Sequence, residues 1–297
     1  MSRVRILALH GVGCSANILR AQLSTFIRAV DDHYEIVCID GFFEWTRGPG
    51  IEKNNPGPFY TYTQAYGPSD ILKSHKYLRD VISEQGPFDG VLGFSQGGAM
   101  ALSYLYQQQQ DGLTPDFKFA ILLSSIVPFS ADPRTHEEAI KHLCDPIQNP
   151  LPPNPQQQQL ASEVRDILLH TFTTSSKIGA TAAGYDNKHF FRPGADPADV
   201  PRVLHPRLLF LPGGGGDGKT ADTPTRIAIP TVHAHGRMDF SFMKEASEAA
   251  RELCEPRLAR CLVHSGGHSP PQQPDEVAEL VQAVRWAVRQ YRETAHL

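Results

Sequence analysis

Short apolar runs alternate with longer stretches of helical period along the first part of this chain. Residues 4–10, "VRILALH", form a compact apolar run that ends in glycines and reads as a buried strand. Residues 18–30, "ILRAQLSTFIRAV", place apolar side chains at helical spacing, and residues 35–40, "EIVCID", return to a strand-like run. Ser69 stands where a second helix is capped, with Leu72, His75, Leu78 and Ile82 as its expected buried face. "FDGVLGFS" and "FKFAILLSS" are two further buried strands, and "QGGAMALSYLYQQQQ" is the helix between them. Late in the chain the alternation resumes. "IAIPTVHAHG" and "LARCLVHSGG" read as strands, "SFMKEASEAARELC" and "DEVAELVQAVRWAVRQY" as helices.

Strands buried on both faces that alternate with helices predict an α/β fold, a mainly parallel sheet flanked by helices on both faces. Between residues 127 and 226 the regularity fails. Prolines cluster at Pro150, Pro152, Pro153 and Pro155, a glutamine run spans 156–159, and Gly213 to Gly216 are consecutive. So irregular a segment inside an α/β domain is expected to be an insertion. The expectation is one domain over residues 1–297, with 127–226 as a small helical cap and a flexible Gly/Pro-rich loop.

Composition narrows the class. Apolar residues are 40% of the 297, enough for a sizeable core, and the net charge of −4 comes without any long Lys/Arg block, which argues against nucleic acid. No apolar run is long enough to span a bilayer, so no membrane partner is expected. The chain enters its first strand almost at once, leaving no room for a signal peptide. The five cysteines are scattered, odd in number and without metal spacing, and N-x-[ST] sequons are absent. Reduced thiols in a cytoplasmic protein are expected.

Two short motifs compete for the chemistry. "GGGGDGKT", Gly213 to Thr220, matches the letter of a phosphate-binding loop. Such a loop needs a helix directly after its Lys-[ST], whose N-terminus helps hold the phosphates. Here "ADTPTRIAIP" follows, with Pro224 and no helical period, so the match reads as a Gly-rich surface loop.

"GFSQG", Gly93 to Gly97, has the context its motif requires: a strand before it and a helix after it. G-x-S-x-G sets a serine on a sharp strand-to-helix turn that lifts its hydroxyl above the sheet. A nucleophilic serine needs a base, and the base an orienting carboxylate, in the chain order Ser, Asp or Glu, His. Asp239 follows the strand "IPTVHAHG", and His268 lies in the Gly-rich loop after "RCLVHSGG". Ser95, Asp239 and His268 therefore have the right order, each behind a separate strand. Asp217 and Asp222, in the irregular segment, compete with Asp239. His264 is the nearest rival to His268 but falls within its strand, and the H-x-H pair His233 and His235 reads as core or strand-end rather than as metal ligands. For the oxyanion, one donor is the backbone N–H of Gln96 and the other comes from "LHGVGCS", with Val12 first and Gly13 second.

"LALHGVGCS", "GFSQGGAMA", "HGRMD" and "GGHSPP" together resemble the fungal family of serine hydrolases, an α/β-hydrolase group, over most of the chain. Within that group, "HGVGCSANILRAQLS" together with "GPGI" is similar to the discrete thioesterases of fungal polyketide gene clusters. The resemblance implies Ser95 as nucleophile, His268 as base, Asp239 as its partner, and Val12 and Gln96 as oxyanion donors. The sequence departs from the family pattern in the Pro- and Gly-rich stretch before "IAIPTVHAHG".

The expected activity is cleavage of acyl thioesters or esters through an acyl-enzyme, with release of a polyketide acyl chain from an acyl carrier protein as the leading case. A carboxylesterase tailoring a natural-product ester, a hydrolase-fold cyclase and a binding module with a vestigial triad are the rivals. Phe42, Phe43, Trp45, Phe59, Tyr60, Tyr62 and Tyr66 crowd one stretch. They either line an acyl pocket, with Trp45 and Tyr62 as substrate-binding residues, or cover the sheet edge and seat the cap. Arg20, Arg47, Arg237 and Lys244 are either a carrier-docking patch or a solvated scatter. No metal or organic cofactor is implied.

Overall fold

The structure is a computed structural model that describes residues 3–180, 190–191, 194–210 and 226–294. Six parallel strands form one sheet: β1 (Val4–Leu9), β2 (Tyr34–Ile39), β5 (Gly90–Phe94), β6 (Phe119–Leu123), β7 (Thr231–Gly236) and β8 (Ala259–His264), in the order β2-β1-β5-β6-β7-β8. β3 (Phe43–Glu44) and β4 (Tyr60–Thr61) pair as a small antiparallel ribbon beside it. This is the mainly parallel sheet that the alternating pattern predicts, in the α/β-hydrolase arrangement that the resemblance implies.

Strand periodicity sorts the core into two layers. Along β1, Leu7 and Leu9 enter one apolar cluster, and Val4, Ile6 and Ala8 enter the other. The first layer lies against α3 (Pro68–Gln85) and α4 (Gln96–Gln110), and the second against α1 (Ala16–Gln22), α2 (Ser24–Ala29) and α9 (Pro274–Thr294). α1 and α2 cover the stretch expected as one helix. Leu23 interrupts them at φ −88°, ψ 4°, yet its N–H still reaches Leu19 and its carbonyl still accepts from Ile27, so the helix bends rather than stops.

α3 begins earlier than its sequence suggests. Gly67 is the cap and Pro68 takes the first helical position, where its fixed φ suits the turn and its missing N–H costs nothing. The buried face is Ile71, Ser74, His75, Leu78 and Val81, while Leu72 is exposed and Ile82 half-buried. The buried polar members of this face are held by groups from other elements. Ser74 donates to the Tyr62 carbonyl at 2.6 Å, and His75 pairs with Ser103 at 2.8 Å. In the late strand, pairing in the sheet starts only at Thr231, after Pro230, and Ile227 makes an isolated bridge to Cys254.

Among the described residues of 127–226 the chain forms α5 (Glu137–Cys144), α6 (Pro155–Lys177), a 3-10 turn at Pro197–Asp199 and α7 (Pro206–Leu209). The glutamine run is helical: the Asn154 side chain accepts from the Gln156 N–H at 3.0 Å, and Pro155 occupies the first position of α6. Leu160, Val164, Leu168 and Phe172 then form one buried stripe, each contributing roughly 1.5–3 kcal/mol. Arg202 is buried nearby and donates to the carbonyls of Pro133, Val200 and Pro197, so its charge is solvated by the chain itself. The Gly213 to Thr220 motif, Asp217 and Asp222 lie outside the described residues. No helix among the described residues is long and apolar enough to cross a membrane. α8 (Ser241–Glu252) links β7 to β8.

Candidate active site

β1 has β2 on one side and β5 on the other, so the chain reverses its winding direction at β1. In an open parallel sheet, the crevice at such a switch point lies beyond the C-terminal strand ends. Ser95 follows β5 there, at φ 54° and ψ −115°, a conformation costing a non-glycine residue of the order of 1–3 kcal/mol. Its N–H donates to the Leu123 carbonyl at 2.9 Å, which anchors the strained turn to β6. The flanking glycines are required by contact. A Cβ at Gly93 would lie 2.4 Å from the Gly98 backbone, and one at Gly97 would lie 2.2 Å from the Leu9 carbonyl oxygen.

Asp239 sits just past β7 and His268 in the loop after β8, and backbone bonds hold the two loops together. Arg237 N–H donates to His264 at 2.7 Å, and Met238 N–H to Gly266 at 2.9 Å. His268 Nδ1 lies 2.8 Å from Asp239 Oδ2, and His268 Nε2 lies 3.0 Å from Ser95 Oγ. A carboxylate only accepts, so Nδ1 carries the proton and Nε2 presents its lone pair to the serine hydroxyl. The Asp239 side chain is wholly buried and its other oxygen accepts from Phe240 N–H at 2.8 Å. The Phe94 ring lies 5.1 Å from the imidazole. The rival histidines are engaged elsewhere. His264 Nδ1 accepts from the Gly266 N–H at 3.2 Å, and His233 is bonded to Thr231, burial pushing its pKa down to about 3. Among the described residues no group of three or more His, Cys, Asp or Glu side chains could hold a metal ion.

A cavity of about 40 Å³ opens at Ser95, and Val12, Gln96 and His268 line it. Gln96 begins α4, so its N–H belongs to the first turn, where no intrahelical acceptor exists. Its side chain is locked: Oε1 accepts from Thr61 Oγ at 3.0 Å and Tyr62 N–H at 3.1 Å, and Nε2 donates to Tyr66 Oη at 2.8 Å. The loop carrying Val12 is held from two sides. His10, its pKa lowered to about 4 by burial, accepts from Gly41 N–H at 2.8 Å through Nε2 and donates to the Gly11 carbonyl through Nδ1. Gly48 N–H donates to the Gly13 carbonyl at 2.8 Å.

Trp45 and Tyr62, expected to contact substrate, do not line this cavity. Tyr62 points into the core, its hydroxyl accepting from His10 N–H at 3.1 Å and donating to the Ile39 carbonyl at 3.3 Å. Trp45 is half-buried beside the β3–β4 ribbon, its N–H bonded to Phe59. From the same stretch it is Pro49 and Tyr66 that reach the cavity. The sequence reading missed the opposite wall: Ile126, Phe129, Thr171, Phe172 and Met243. Tyr66, Phe129 and Phe172 pack with ring centroids 5.0–5.8 Å apart, tying α6 over the site. The helical period of Leu160, Val164, Leu168 and Phe172 was the available signal, obscured by the prolines and glutamines before it.

Comparison with known proteins adds an independent line. A family model described as "Serine hydrolase (FSH1)" matches residues 1–280. "Esterase alnB" of Emericella nidulans is 36% identical over 297 residues, covering 99% of this chain and 99% of that protein. "Serine hydrolase cnsH" of Penicillium expansum is 27% identical, covering 81% of this chain and 94% of its own. Among solved structures, ClbQ from the colibactin NRPS/PKS pathway is 15% identical, covers 99% of this chain and 100% of its own, and superposes with a TM-score of 0.44.

Proposed function

The chain belongs to the serine hydrolase (FSH1) family and is an ester-hydrolysing enzyme, and from that premise we propose that Ser95, His268 and Asp239 are its catalytic triad. The observation that carries this reading is the continuous relay from buried carboxylate through imidazole to a hydroxyl held on a strained turn. Ser95 Oγ attacks the acyl carbonyl while His268 Nε2 takes its proton. The tetrahedral oxyanion is received by the N–H groups of Val12 and Gln96. Collapse expels the leaving group, which takes the proton from Nε2–H, and leaves an acyl-enzyme. Water, deprotonated by the same nitrogen, then releases the acid and restores Ser95. Asp239 keeps the proton on Nδ1 and stabilises the imidazolium formed in each half-reaction.

The finer reading is a thioesterase that releases a polyketide acyl chain from a carrier protein in secondary metabolism. The "HGVGCSANILRAQLS" and "GPGI" segments support it, as do exposed Arg47 and Arg237, one beside the Val12 loop and one beside Asp239, where an acidic carrier would approach. Lys244 and Arg20 are less available, since each donates to a backbone carbonyl, of Arg237 and Ile36. The oxoester alternative is favoured by the name of the 36%-identical relative, an esterase.

Matched acyl groups offered as pantetheine thioesters and as simple oxoesters, with Ser95→Ala as control, separate the two. Thioester preference lost in the variant supports chain release, and faster oxoester cleavage supports a tailoring esterase. Full turnover by Ser95→Ala would remove the triad assignment itself.

A further inference from the structure

The cavity at Ser95 is far too small for an acyl chain. At about 40 Å³ it holds about three water molecules, given that one water needs roughly 10–15 Å³ of such space. A groove of about 610 Å³ adjoins it, between α6 and α7 on one side and α8 on the other. That volume lies within the range of roughly 300–1,000 Å³ usual for small-molecule sites. The two spaces share Ile126, Thr171, Ser175 and Met243 as walls, so the groove adjoins the nucleophile's cavity across these four side chains. We propose that this groove binds the distal part of the substrate, an extended and mostly apolar acyl chain whose far end is neutral or cationic. The proposal rests on the triad reading of Ser95 and names the substrate class that the triad acts on.

The lining gives the class. Ile126, Val127, Ile167, Met243, Ala246 and Ala249 present apolar surface along the groove. Glu163, Asp166, Glu245, Glu248 and Glu252 stand along it against one guanidinium, Arg207, with Asp166 also paired to Arg165 at 3.3 Å. An apolar chain is sheltered by the first set, and a terminal carboxylate or phosphate is repelled by the second. The carboxylates only modulate; the walls that the groove shares with the nucleophile's cavity are what make it part of the site. Thr171 and Met243 form the threshold that the chain crosses.

The test is the ratio of kcat/KM for a decanoyl to an acetyl p-nitrophenyl ester, which cancels changes in the amount of folded enzyme. Ser162→Trp on α6 and Glu248→Trp on α8 are surface positions that project into the groove. Each is expected to lower the ratio at least tenfold, whereas Ser176→Trp, exposed on α6 but off the groove wall, leaves it within twofold. The unaltered enzyme is expected to disfavour a decanoyl chain ending in carboxylate about tenfold against the plain chain, and Glu245→Gln with Glu248→Gln to narrow that gap. An unchanged ratio in both tryptophan variants, or an equal fall with Ser176→Trp, overturns the groove assignment. Loss of acetyl ester cleavage in Ser95→Ala is read separately: it tests the triad, and the groove can fail with the triad intact.

Discussion

Replacing Asp239 by Asn tests the relay with almost no change of shape. In the native site Oδ2 accepts from His268 Nδ1 at 2.8 Å and Oδ1 accepts from Phe240 N–H at 2.8 Å, with the side chain fully buried. An amide cannot serve both donors. If its oxygen keeps the Phe240 bond, its NH₂ faces Nδ1, which must then give up its proton. The imidazole carries that proton on Nε2 instead and points a donor at Ser95 Oγ, 3.0 Å away. If the amide flips, His268 keeps its tautomer but Phe240 N–H is left facing an NH₂ group in a buried site, at a cost of roughly 1–3 kcal/mol. The first arrangement therefore prevails, and the imidazole cannot accept the serine proton. Together with loss of the carboxylate that stabilises the imidazolium, Asp239→Asn is expected to lower kcat by about 10⁴-fold, or about 5.5 kcal/mol of barrier. Steady-state hydrolysis of p-nitrophenyl acetate reads the loss, with far-UV circular dichroism to check the fold. A variant within tenfold of the native rate would refute the tautomer argument and the place of Asp239 in the relay.

Three further outcomes follow from particular contacts. Gln96→Ala keeps the backbone N–H assigned to the oxyanion but frees Thr61, Tyr62 N–H and Tyr66 from their shared partner; kcat is expected to fall more than KM changes and stability to drop by about 2 kcal/mol in urea titration, and native kcat would contradict it. Gly97→Ala would place its Cβ 2.2 Å from the Leu9 carbonyl oxygen, a backbone atom that cannot rotate aside, so α4 must move away from β1; a loss of about 1–3 kcal/mol in stability, together with a fall in activity, is expected, and a native Tm with native rate would contradict the close approach. His10 and His136 are pushed down by burial to about 4, and His75 and His233 to about 3, whereas the unfolded chain protonates each near 6.5. The unfolded state thus binds more protons between those values, so stability is full above about pH 6.5 and is lost as pH falls towards 4, by up to about 1.4 kcal/mol per pH unit for each histidine; a urea midpoint unchanged from pH 7.5 to 5.0 would contradict this.

The centre of the sheet was legible because β1, β5, β6 and β7 are buried on both faces and so appear as apolar runs between helical periods, whereas the edge strands β2 and β8 are only partly buried. The residues of the relay were legible for a related reason. Each stands directly behind a strand, and the sheet brings strand C-termini together whatever lies between them in sequence. The start of α3 was only partly legible, because Pro68 takes the first helical position and moves the cap from Ser69 to Gly67; of its expected face, His75 and Leu78 are buried, while Leu72 is exposed and Ile82 half-buried. The glutamine run that looked irregular is helical because capping by Asn154 and the fixed φ of Pro155 outweigh composition. Tyr62 was misplaced because its position depends on partners from other elements. Aromatic composition locates a pocket region, but only the tertiary partners His10, Ile39 and Gln96 decide that Tyr62 supports the loop and the helix start while Tyr66 reaches the cavity. The wall formed by Ile126, Phe172 and Met243 comes from three segments far apart in the chain, and no local pattern joins them.

The central claim is that Ser95 forms a covalent acyl-enzyme. Treatment with a fluorophosphonate probe, followed by intact-mass measurement and peptide mapping, tests it directly. One adduct per chain on the peptide bearing Ser95, rising in step with loss of esterase activity and absent from Ser95→Ala, is the predicted result. An adduct on another residue, or inhibition of activity with Ser95 unmodified, would contradict the account.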